Sequence, residues 1–142
     1  MSLTVEIVTP SRKVFEGQAE RVELPGWLGE VGALPHHAPL LTLVRAGVVT
    51  LHAASGQITL EKEPTALTGD RRLVVGAGFA EIGQDRVTLV VDLCQDAATV
   101  DKTAAAADLQ AAVEVIGAND ANSVAARLAV KQADLARARL KI

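Results

Sequence analysis

The chain changes its grammar at Asp96, and that break constrains the fold more than any single motif. Before it, apolar residues recur at every second position in short runs. Leu3, Val5 and Ile7 alternate with Thr4, Glu6 and Val8, Val22 and Leu24 flank Glu23, and Val87, Leu89 and Val91 repeat the pattern around Thr88. A period of two buries one face of a strand, and short strands at regular spacing build a sandwich or a barrel. Ser55-Gly56, between Val49 and Leu51 on one side and Ile58 and Leu60 on the other, is expected to turn one antiparallel hairpin. Gly83-Gln84-Asp85 is expected to turn another.

After Asp96 the residues are Ala, Leu, Lys, Arg, Asp and Gln with no Pro, which is helix composition. Leu109, Val113 and Ile116 fall at i, i+4 and i+7, with Ala105, Ala106 and Ala112 beside them. The stretch from Gly117 to Asn122 interrupts the pattern, Gly117 suiting a helix C-cap and Asp120 or Asn122 the next N-terminus. Beyond it, Val124, Leu128, Leu135 and Ile142 lie within about 40° of one another on a helical wheel. The expected fold is an antiparallel β-sandwich over residues 1–96, followed by an antiparallel α-helical hairpin over residues 97–142. Its seam is thin and Ala-rich, so the hairpin is expected to need a surface to dock on.

Composition removes several function classes. Aromatic residues make up 2% of the chain, too few to stack nucleic-acid bases, and the net charge of −3 repels phosphates. No apolar run reaches the roughly 18–20 residues that span a bilayer, so no direct membrane insertion is expected. The N-terminus from Met1 to Pro10 carries no signal or transit pattern, which favours a bacterial source, with an organelle-encoded chain as the alternative. Cys94 has no partner for an internal disulfide, so it is expected in a reducing cytosol as a small apolar strand residue.

No catalytic constellation stands out. His36, His37 and His52 are the only histidines, and adjacent His36 and His37 point to opposite sides of an extended chain, a poor metal-ligand spacing. Gly76-Ala77-Gly78 is two-thirds of a dinucleotide fingerprint, but Glu81 occupies the third glycine position and the segment opens a strand. Turn or bulge glycines account for it better. The expectation is a non-enzymatic protein with no metal and no bound cofactor.

The most distinctive segment runs Gly29-Glu30-Val31-Gly32-Ala33-Leu34-Pro35-His36-His37-Ala38-Pro39-Leu40-Leu41-Thr42. Its two prolines and two glycines predict a rigid, shaped loop. It resembles the glycine-glutamate to histidine-alanine-proline-leucine stretch of the epsilon subunit of F-type ATP synthases, the counterpart of the mitochondrial delta subunit. Leu3 to Pro10, Val14-Phe15-Glu16-Gly17, Gly76 to Ile82 and Val87 to Asp92 agree in order and spacing. An unrelated adaptor of the same architecture is the alternative that periodicity alone leaves open.

The resemblance implies a non-catalytic central-stalk subunit of a proton-translocating synthase, peripheral at the cytoplasmic face of a bacterial inner membrane. Its partners would be the gamma subunit, the c ring, and the alpha and beta subunits. Matching positions put Gly29, Glu30, Val31, His37 and Leu40 at a loop facing the ring, with His37 either making that contact or tying down its own turn. The hairpin would restrain ATP hydrolysis by setting Arg127, Lys131, Arg137 and Arg139 against acidic segments of the beta subunits. Some members bind ATP through an Asp-x-x-Arg-Ala motif opening the first helix. Here Asp101 is kept but Ala104 replaces the arginine, so ATP binding is expected to be weak or absent. The stretch from Leu60 to Arg72 looks longer than its counterparts and is expected to be a surface loop insertion.

Overall fold

The computed structural model of the chain describes residues 2–142; Met1, where the first alternating stretch begins, lies outside them. The strands are β1 (Leu3–Thr9), β2 (Arg12–Ala19), β3 (Arg21–Gly26), β4 (Gly29–Ala33), β5 (Leu40–Val44), β6 (Gly47–Ile58), β7 (Thr65–Val75), β8 (Gly78–Gly83), β9 (Arg86–Val91) and β10 (Cys94–Asp96). A single 3-10 turn at Ala97–Thr99 leads to α1 (Lys102–Ala118) and α2 (Val124–Leu140).

Hydrogen bonding orders the strands β10-β7-β6-β2-β1-β9-β8-β5-β3-β4, and β6 also pairs with β3. That extra pairing closes β6, β2, β1, β9, β8, β5 and β3 into a circuit around one core. Ladders are antiparallel apart from β1 and β9, which run parallel with Val5 beside Val87 and Ile7 beside Leu89. The period-two residues do what their spacing dictates: Leu3, Val5, Ile7, Val22, Leu24, Val87 and Leu89 are all buried. Phe15, Leu51, Leu73 and Ile82 fill the space between the layers.

Strand β6 links the two layers. Its first half pairs with β3, with Val22 opposite Leu51, and its last residues pair with β2, with Phe15 opposite Ile58. Between them the β6–β7 register shifts, and Ala53 takes a φ of 49° while its N–H donates to Asp70 Oδ1 at 2.8 Å. A bulge of this kind bends a strand and increases its twist.

Two expectations about β6 and β7 are corrected. Ser55-Gly56 is not a turn: both residues lie inside β6, where Gly56 sits between Gly17 of β2 and Leu67 of β7. The glycine serves close strand approach rather than chain reversal. The stretch from Leu60 to Arg72 is not a loop insertion either, because β7 begins at Thr65 opposite Ile58 and pairs along β6. The Gly83-Gln84-Asp85 turn stands as expected, with φ of 49° at Gln84 and 55° at Asp85 joining β8 to β9. Two successive positive φ values give a tight hairpin turn whose twist matches its strands.

The helices form the expected antiparallel pair, and α1 turns the expected Ala105, Leu109, Ala112 and Ile116 inward, but α2 packs on a different stripe of side chains. Ala112, Ala129 and Ala133 are buried between them, with Leu109 and Ile116 packed alongside. Ala106 is exposed and Val113 is 48% exposed, so neither belongs to the seam. In α2 the buried residues are Ala126, Ala129, Ala133, Ala136 and Ala138, whereas Val124 is 72% and Leu128 56% exposed. Alanine lets two helix backbones come close, and this contact outweighs the bulkier side chains in fixing which face turns inward. Gly117 lies inside α1 rather than at its C-cap, which is Asn119. Ser123, not Asp120 or Asn122, caps α2 by accepting from the Ala126 N–H at 3.1 Å. No helix among the described residues is long and apolar enough to cross a membrane.

Candidate subunit-contact site

The segment from Gly29 to Thr42, expected as one loop, is strand β4, a loop from Leu34 to Pro39, and strand β5. Gly26 and Gly29 pair across a two-residue turn made by Trp27 and Leu28, and Gly29 holds a φ of 137°. That turn is tight enough for Val31 and Ala33 to point inward, which makes a strand of residues that look like loop. Glu30 is exposed opposite Pro25 and lines a cleft of about 740 Å³ together with Glu23, Arg45, Arg72 and, from α2, Arg137.

His37 and Leu40 lie elsewhere. Leu40 is at the end of β5 opposite Ile82, whereas Val44, at the other end, meets Gly26 beside the Trp27–Leu28 turn. Gly29, Glu30 and Val31 are thus separated from His37 and Leu40 by the length of β5, and they do not share one loop. His37 Nδ1–H donates to the Ala38 carbonyl at 2.6 Å, and the His37 N–H donates to Leu34 O at 3.1 Å. Its neighbour His36, at a φ of 67°, donates its N–H to Asp85 Oδ1 at 2.6 Å, fastening the loop to the β8–β9 turn.

An exposed apolar sheet face adjoins this loop. Leu41 (71% exposed), Leu43 (60%) and Phe79 (44%) project outward from β5 and β8, with Leu43 paired to Phe79. Trp27 and Leu28 are also exposed, and the Trp27 N–H donates to Leu43 O at 2.9 Å, so the patch continues onto the turn. Sequence reasoning missed this face. Its signal was the run Leu40-Leu41-Thr42-Leu43-Val44, apolar at odd and even positions alike. A strand apolar on both faces is one that is covered on both faces.

The hairpin rests on the sandwich through α2, against β6 and β7. Lys131 Nζ is 3.2 Å from Asp92 Oδ2, and Arg139 Nε donates to Gln95 Oε1 at 3.1 Å. Arg139 also lies 3.9 Å from Asp108 of α1, and Arg137 pairs with Asp134 at 3.4 Å. Arg127 stays exposed. Asp101 is occupied as the N-cap of α1, its Oδ1 accepting from Thr103 N at 2.9 Å and Ala104 N at 3.1 Å. Ala104 is exposed and offers no donor of its own side chain.

A closed sandwich with an uncovered apolar sheet, carrying a charged and lightly seated hairpin, is built to be packed against other chains. Known proteins agree. Residues 2–97 match the family model for the ATP synthase delta/epsilon chain β-sandwich domain. The ATP synthase epsilon chain of Parasynechococcus marenigrum is 34% identical over 99% of this chain and 96% of its own length. That of Rhodospirillum rubrum is 39% identical over 75% of this chain and 71% of its own. The chain belongs to the ATP synthase delta/epsilon chain family. Its fold is shared with a chain of the Euglena gracilis mitochondrial ATP synthase assembly containing OSCP, F1 and the c-ring, at a TM-score of 0.74 and 12% identity, covering 96% of this chain and 78% of that one. A chain of the Tetrahymena thermophila mitochondrial ATP synthase central stalk and c-ring matches at 0.54 and 14%, covering 99% and 93%.

Proposed function

We propose that this chain is the non-catalytic epsilon subunit of a proton-translocating F-type ATP synthase. It sits in the central stalk, peripheral to the cytoplasmic face of a bacterial inner membrane. The observation that carries this reading is the outward apolar face of Leu41, Leu43 and Phe79, on a chain that matches the Parasynechococcus marenigrum epsilon chain over 96% of that chain's length. The gamma subunit covers that face, and the Leu34–Pro39 loop with His37 reaches the c ring, while Glu30, at the opposite end of β5, makes a separate subunit contact. The hairpin is the regulatory part: released from the sandwich, it sets Arg127, Lys131, Arg137 and Arg139 against the beta subunits and restrains ATP hydrolysis. ATP binding is weak or absent, because the Asp101 carboxylate already caps α1 and Ala104 supplies no guanidinium.

The test is recovery of partners from detergent-solubilised membranes of the source organism, using the tagged full-length chain and the variant Leu43→Asp with Phe79→Asp. Both positions are exposed, so the variant keeps its core. The parent is expected to bring down alpha, beta, gamma and c subunits, and the variant to lose them. A parent that recovers none from membranes holding intact synthase overturns the assignment. The regulatory half is tested by truncation after Asp96, which keeps the whole sandwich core. Unchanged ATP hydrolysis in the assembled complex removes it.

A further inference from the structure

Gly76 and Asp92 make a socket. A Cβ built on Gly76 would lie 1.8 Å from Asp92 Oδ1, so only glycine lets the carboxylate lie across this point of the backbone. The Gly76 N–H donates to Leu93 O at 3.0 Å and the Asp92 N–H to Ala77 O at 3.0 Å, fixing both segments. The other carboxylate oxygen, Asp92 Oδ2, faces Lys131 of α2 at 3.2 Å.

Little else holds the hairpin down. The α2 residues turned to the sandwich are mainly alanines and charged side chains, with Leu135 half-buried beside Trp27, and clefts of about 740 and 220 Å³ remain beside them. The remaining polar ties are Arg139 to Gln95 and a 3.4 Å bond from Arg72 to the Lys141 carbonyl. Where apolar burial is this slight, ion pairs decide between docked and undocked states.

We infer that Asp92, seated on Gly76, is the socket that holds Lys131 and with it the hairpin on the sandwich. Lys131 meets a carboxylate of the sandwich, whereas Arg137 pairs with Asp134 of its own helix and Arg139 with Asp108 of α1, contacts that travel with the hairpin when it leaves.

The experiment uses the full-length chain, whose single tryptophan, Trp27, lines the smaller cleft together with Lys131 and Leu135. Acrylamide quenching of Trp27 reports undocking, and small-angle scattering checks it independently. Raising NaCl from about 0.1 M to about 1 M shortens the screening length from roughly 10 to roughly 3 Å. Quenching and radius of gyration are expected to rise together over that range. A single exposed ion pair shifts such an equilibrium by up to about five-fold. Asp92→Asn is therefore expected to move the transition to lower salt, Lys131→Asp further, and Asp92→Lys with Lys131→Asp to restore it. An Asp92→Asn chain with unchanged quenching and scattering across the series, or a double reversal that restores neither, overturns the socket.

Discussion

Gly17 and Gly56 face each other across the β2–β6 ladder with no room for a side chain on either. A Cβ at Gly17 would lie 2.2 Å from Ser55 O, and one at Gly56 would lie 2.3 Å from Glu16 O. These neighbours are backbone atoms of a paired strand, which cannot swing aside as the end of a side chain can. Gly17→Ala and Gly56→Ala are each expected to destabilise the sandwich by about 2 kcal/mol, as forced overpacking does. Urea unfolding of the two variants checks this, and midpoints equal to the parent's would show that the strands separate freely.

Arg71 and Asp96 tie the last strand to β7. Arg71 Nη1 donates to Asp96 Oδ2 at 2.7 Å, while Asp96 Oδ1 accepts from Ala98 N at 3.1 Å and so caps the 3-10 turn. Asp96→Ala removes both contacts, and a charge-assisted hydrogen bond of this kind contributes about 2 kcal/mol. Amide exchange is expected to speed up over residues 94–99 more than anywhere in β1 or β9.

The alanine seam of the hairpin sets another expectation. Ala133→Leu forces a branched side chain into the contact with Ala112 and is expected to loosen the helices by about 1–3 kcal/mol. Leu128→Ala, on the exposed face, is expected to leave them within about 0.5 kcal/mol of the parent. The reverse ranking, read from amide exchange over residues 102–140, would mean that the bulky residues and not the alanines form the seam.

Cys94 gives the alkaline limit. Burial, with the Asp96 charge adding to it, pushes its thiol from an ordinary value of 9.0 up to about 12. The native state therefore favours the neutral thiol. Its contribution to stability is complete below pH 9.0 and is lost as pH rises toward 12. Cys94→Ala is expected to flatten the fall in urea midpoint over that window. An alkaline fall as steep as the parent's would exclude the thiol as its cause.

The strand plan was legible because burial and alternation coincide: Leu3, Val5 and Ile7 are inward wherever the strand is placed. Gly56 was misread because a glycine needed for close strand approach looks, in one dimension, like a glycine needed for a turn. Val124 and Leu128 misled for a related reason, since hydrophobic periodicity weights bulk and the α1–α2 contact selects smallness. The loop motif located a distinctive segment but not its division, because the separation of Glu30 from His37 depends on β4 pairing with β3 and β5 with β8. The Gly76–Asp92–Lys131 contact joins three distant stretches and leaves no local trace.

The closed strand circuit has a consequence for the chain before it meets a partner. Its terminal strands are β10, which is three residues long and followed at once by a 3-10 turn, and β4, which is five residues long and carries two glycines and Glu30, while β7 from Thr65 to Arg72 pairs with β6 alone. The two terminal strands are too short to template a stray strand, and the longer β7 edge is broken by the bulge opposite Ala53 and carries the charges of Asp70, Arg71 and Arg72. A newly made copy that displays Leu41, Leu43 and Phe79 to solvent is thus guarded against edge-to-edge growth by short terminal strands and by charge and a bulge along β7.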